Sequence, residues 1–73
     1  METEKKAYII TLIFNNWEKQ TWFEGDDTSQ YEDQFNEAIK GLNKIGDECK
    51  ETEEFFKKAI NHIKKYGFKV IKK

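Results

Sequence analysis

From Ala7 to Phe14 nearly every position is apolar (AYIITLIF), and the run closes on Asn15-Asn16. A β-branched and aromatic stretch of that length predicts a strand. Tyr8, Ile10, Leu12 and Phe14 face one way, with Ile9, Thr11 and Ile13 opposite. Apolar character on both faces predicts a central strand covered on both sides. Lys19 to Glu24 (KQTWFE) predicts a second strand, and Asn15-Asn16-Trp17-Glu18 the hairpin loop, because asparagine tolerates a left-handed backbone. Trp22 and Phe23 point to opposite faces of that strand.

The period then lengthens. Gly25-Asp26-Asp27-Thr28 breaks the strand, and Ser29-Gln30-Tyr31-Glu32 fits a capping box. Tyr31, Phe35, Ala38, Ile39, Leu42 and Ile45 recur at helical spacing, with Gly46 as the C-terminal cap. Gly41 inside this helix costs roughly 1 kcal/mol relative to alanine, and the expected return is close packing at that point. Thr52, Glu53 and Glu54 open a second helix, acids at its positive end. Its core stripe is Phe56, Ala59, Ile60 and Ile63, and Gly67 stops it. Phe68 to Lys72 (FKVIK) resumes strand character. The expected architecture is α+β, in the order ββααβ: a three-stranded, mainly antiparallel sheet with two helices packed on one face. The closing strand is expected beside the first, in a single domain over residues 1–73.

Composition narrows the chemistry. A chain of 73 residues hides about 60% of its extended surface on folding, which leaves a thin margin of stability. Cys49 is the single cysteine and His62 the single histidine, so the sequence offers no internal disulfide, no zinc cluster and no cofactor motif. No second titratable group stands at a telling spacing from His62, and no catalytic residue is assigned. The reading is of a protein that is not an enzyme. Six Phe, three Tyr and two Trp supply the apolar payload. That is more ring surface than so small a unit is expected to hide. The start lacks a signal-peptide pattern, and no apolar run reaches the roughly 20 residues of a membrane span. With one thiol, the expectation is a cytoplasmic protein with no membrane contact.

Charge is sorted along the chain. Glu24 to Glu54 holds eleven acids against three lysines, whereas Lys57 to Lys73 holds seven lysines and no acid. All thirteen basic residues are lysine, which lacks the planar fork that reads guanine, so sequence-specific DNA recognition is poorly supported. An AT-rich coding sequence would also account for the missing arginine. Lys57, Lys58, Lys64, Lys65, Lys69, Lys72 and Lys73 are candidates for binding nucleic-acid phosphates, or for a solvated face that complements the helix dipole. Asp26, Asp27, Glu32 and Asp33, with Glu37, are candidates for an acidic docking face. Phe55, His62 and Tyr66 form a second stripe beside the core stripe of the last helix. That stripe either packs on the first helix or meets another chain. Trp22 is the aromatic candidate on the second strand, where a sheet face can stack on bases or bury against a second copy.

The ending His62-Ile63-Lys64-Lys65-Tyr66-Gly67-Phe68-Lys69-Val70 resembles the helix–Gly-Phe–strand turn of small double-stranded-RNA-binding-like toxins of the HicA type. The Gly-Ser-His segment that follows the turn in those toxins is not present here, and no residue role is carried over. The leading expectation is a small interaction protein, a homodimer that docks on another macromolecule. Its size and composition suit an accessory or inhibitor protein of a phage or other mobile element. The alternative is a weak, sequence-tolerant binder of RNA or single-stranded DNA.

Overall fold

The computed structural model describes residues 4–71. Two ten-residue strands, β1 (Lys5–Phe14) and β2 (Trp17–Asp26), pair antiparallel without a register break, from Lys5 opposite Asp26 to Phe14 opposite Trp17. The turn between them is only Asn15-Asn16, at φ 51° and 67°. Two left-handed residues match the right-handed twist of the flanking strands, as in type I′ turns. Trp17 and Glu18, expected in the loop, therefore begin β2. Asn15 also donates from its side-chain amide to the Lys50 carbonyl at 3.3 Å, tying the turn to the last interhelical connector.

Gly25 does not break β2 but lies inside it. A Cβ there would stand 2.8 Å from the Phe68 ring and 3.0 Å from Tyr31. The missing side chain is the space that Phe68 occupies. Helix α1 (Ser29–Lys40) is capped by Thr28 rather than Ser29, the Thr28 hydroxyl accepting from the Tyr31 amide at 3.2 Å. The expected single helix bends at Gly41, whose amide donates to the Ala38 carbonyl three residues back at 3.2 Å. Such tightening of the last turn redirects the axis into α2 (Leu42–Glu48). Gly46 consequently falls inside α2, and Cys49 takes the cap position. Helix α3 (Thr52–Lys64) carries Glu53 and Glu54 in its first turn. Gly67, at φ 100°, reverses the chain into β3 (Lys69–Ile71).

The protein is thus α+β in the order ββααβ, with α1 and α2 acting as one bent helix. The sheet order is β1-β2-β3 and every pairing is antiparallel. This corrects the expectation that the closing strand lies beside β1. The bent helix and α3 cancel each other's direction, so β3 starts at the end of the sheet where β2 finishes. Running back from there it is antiparallel to β2 but would be parallel to β1. Antiparallel pairing is the more stable per residue. Phe68, seated on Gly25, fixes the choice. The central strand is therefore β2, and β1 is an edge.

All helices cover one face of the sheet. Tyr8, Leu12, Thr21 and Phe23 point into it and are buried with Phe35, Ala38, Leu42, Phe55, Ala59, Ile63 and Phe68. Tyr8 centres an aromatic knot, its ring 5.2 Å from Phe35 and 5.1 Å from Phe68. Its hydroxyl donates to the Asp26 carbonyl at 2.6 Å, and burial pushes its pKa upward. At the other end Phe14 stacks on Phe55, centroids 4.6 Å apart.

Candidate docking surfaces

Directly opposed residues of an antiparallel sheet share a face, so the register defines the uncovered side. Ile9, Trp22 and Ile71 form one row across all three strands. Thr11 opposite Gln20 and Ile13 opposite Glu18 extend the face toward the hairpin turn; Ala7 opposite Glu24 and Lys5 opposite Asp26 extend it the other way. Ile9 is 46% exposed and Ile13 62%, while Trp22 and Ile71 are half-buried. Charge frames the row at one end, where Lys5 pairs with Asp26 and Lys69 stands opposite Glu24.

The candidate residues fall into separate places. Trp22 and Asp26 lie on the open face. Asp27 is exposed in the β2–α1 turn, Glu32 in the first turn of α1 and Asp33 just beyond it. Phe55 is 5% exposed and belongs to the core, which removes it from the docking flank assigned by spacing. A rotation of the stripe by about half a residue step, roughly 50°, explains the shift. The core stripe of α3 is centred on Phe55, Ala59 and Ile63, and Phe56 and Ile60 lie at its margin. Tyr66 follows the helix and is 38% exposed, its ring 5.2 Å from that of His62.

His62 packs over the helix bend. A Cβ on Gly41 would lie 2.7 Å from its Nε2, an atom that is buried without a hydrogen-bond partner among the described residues. The flank stripe therefore meets the bent helix. Alanine at Gly41 would gain about 1 kcal/mol in an isolated helix. Here Gly41→Ala is expected to destabilise the protein, by displacing His62. In a His62→Ala background the same change is expected to stabilise by about 1 kcal/mol. Urea unfolding of the two pairs measures the difference, and equal effects in both backgrounds would reject the contact as the cause.

Lys57, Lys58 and Lys64 of α3 and Lys65 at its C-terminal cap are all exposed on the side turned away from the sheet, since positions seven apart lie above one another. Lys69 lies elsewhere, on the open sheet face. Lys72 and Lys73 lie outside the described residues. Beside this lysine face runs a shallow groove of about 380 Å³, lined by Lys19, Glu53, Phe56, Lys57, Ile60 and Asn61. Trp17, 66% exposed, lines a neighbouring depression that shares Lys19, Glu53 and Phe56 with the groove. Sequence spacing gave no weight to Trp17, because it was placed in the loop.

Five of the eleven rings, Phe23, Phe35, Phe55, Phe68 and Tyr8, are buried, and Phe14, Tyr31 and Phe56 pack partly buried against them. The exposed large apolar side chains are Ile9, Ile13, Trp17 and Tyr66. Cys49 is buried, and burial together with Glu54 raises its thiol pKa, the opposite of an activated nucleophile. Among the described residues no group of three or more His, Cys, Asp or Glu side chains converges as a metal site, and no helix is long and apolar enough to cross a membrane. Comparison with protein-family models, curated proteins and solved structures gave no match.

Proposed function

We propose that this chain is a non-enzymatic interaction protein that docks on another macromolecule, a protein, through the open face of its sheet. The observation that carries the reading is the pair Ile9 and Ile13, large aliphatic side chains 46% and 62% exposed on a face that no helix covers. A small domain with little apolar area to spare gains from covering such a row, and exposed apolar patches on soluble proteins commonly mark contact sites. The ion pair of Lys5 with Asp26 and the facing of Lys69 and Glu24 give that row a polar rim. Size and composition suit an accessory or inhibitor protein of a mobile element acting in the cytoplasm. A photo-crosslinking side chain at Gln20, on the open face one strand in from the edge, is expected to give a discrete adduct with a different protein in cells. Changing Ile9 and Ile13 to lysine is expected to abolish it. An equal yield from a probe at Asn43, on the exposed side of α2, would reject the assignment.

The lysine face of α3 supports a second reading, a sequence-tolerant RNA or single-stranded DNA binder. Lys57, Lys58, Lys64 and Lys65 share one exposed side with no acid between Lys57 and Lys65. Engagement of about four phosphates gives a slope near −3.6 in log affinity against log salt. Absence of binding to a labelled oligonucleotide at low salt removes this reading and leaves the first untouched.

A further inference from the structure

We propose that two copies of the chain join edge to edge through β1, antiparallel about a two-fold axis at Ile10, to make one continuous sheet. The inference goes beyond docking by the open face, because it rests on the backbone of the edge. The Asp27 amide donates to the Glu4 carbonyl at 2.7 Å, which sets the phase of the hairpin ladder. Residues at even positions of β1 then exchange hydrogen bonds with β2, and the amides and carbonyls of Ala7, Ile9, Thr11 and Ile13 turn outward. All four residues are exposed, and no strand or loop among the described residues pairs with that edge.

Natural edges are blunted by charge, proline, bulges or short length. The opposite edge follows the rule: β3 is three residues long and starts with Lys69. β1 holds ten residues in unbroken register, and from Ala7 to Phe14 it has none of these devices, the run being uncharged and free of proline.

The occupant is a second copy because the strand is complementary to itself. With the axis at Ile10, Ala7 faces Ile13, Tyr8 faces Leu12 and Ile9 faces Thr11, so every outward amide of the uncharged run finds a carbonyl. Lys5 and Lys6 are left at the two ends, opposite Asn15 and Phe14, and no like charges meet. Moving the axis to Ile9 sets Lys5 against Ile13 and Lys6 against Leu12. Moving it to Thr11 runs Ala7 into the left-handed Asn15. Pairing about this axis keeps both helical layers on one side and sets the two open faces side by side.

Sedimentation equilibrium of the full chain is expected to give the mass of two copies. Thr11→Pro, which removes an outward amide at an edge position that tolerates proline, is expected to give the mass of one with unchanged circular dichroism. Ile10→Cys in a Cys49→Ala background places a thiol opposite its own symmetry mate and is expected to form a linked dimer on mild oxidation. Ile13→Cys, which faces Ala7, is expected not to link. A single-copy mass up to about 1 mM, a dimer that survives Thr11→Pro, or equal linking at both cysteines would overturn the proposal. The Gln20 crosslink reports a different protein, so failure of one reading does not mimic failure of the other.

Discussion

Replacing Phe23 by alanine is expected to leave much of the chain unfolded at 37 °C. Phe23 is fully enclosed, in the central strand, facing the helices and 6.2 Å from the Phe35 ring. Deleting a buried phenylalanine costs about 3–5 kcal/mol, because the cavity adds to the lost transfer energy. Folded chains hold roughly 0.05–0.15 kcal/mol per residue, which for 73 residues is about 4–11 kcal/mol. The substitution therefore removes about a quarter of the total at the least. Urea titration followed by circular dichroism is expected to show the midpoint collapsing toward zero. Phe56→Ala, at the half-buried margin of the core, is expected to lose less than half as much. A Phe23→Ala loss below about 1.5 kcal/mol, well under the range for buried rings, would mean that the helices do not seal this face.

Gly25→Ala is expected to cost about 1–3 kcal/mol, the usual range for overpacking, even though alanine is the better residue for an ordinary strand. The added carbon would meet the Phe68 ring at 2.8 Å, and Phe68 is itself wedged between Tyr8, Tyr31 and Phe35. It has no free direction to move. Shortening that neighbour with Phe68→Leu opens the space, so the Gly25→Ala penalty is expected to shrink in the Phe68→Leu background. An unchanged penalty in the double-mutant cycle would place the cost in the backbone of β2 rather than in the ring contact.

What was legible from the residues depended on how local the cause was. The strand Ala7 to Phe14 and the stripe from Tyr31 onward followed from periodicity, since side chains alternate in strands and repeat at helical spacing. Gly25 was misread as a breaker, and the close packing expected at Gly41 had no identified partner, for one reason. Each is set by a partner distant in sequence, Phe68 for the first and His62 for the second. Read locally, a glycine can suggest a break or a close approach but cannot name the partner. The place of β3 required the directions of both helices, and so a global count of reversals. Apolar residues on both faces of β1 suggested a strand covered on both sides, but the same pattern suits an edge with one open face. Of the candidate contacts, Trp22 and the lysines of α3 fall on exposed or half-exposed surface. Phe55 does not, because the phase of the α3 stripe is set by the stacking of Phe14 on its ring.

The tight Asn15-Asn16 turn also governs the order in which the molecule is made. A hairpin closed by two preset residues zips within about 1–10 μs, and its pairings are close in sequence. The pairing of β2 with β3 must wait until the intervening helices have reversed twice, a much longer loop to close. During that interval the nascent hairpin exposes both of its edges and the bare inner face holding Phe23. Synthesis at high concentration or on crowded ribosomes therefore favours intermolecular ladders from this early species, and quick docking of Phe68 onto Gly25 is the step that closes the window.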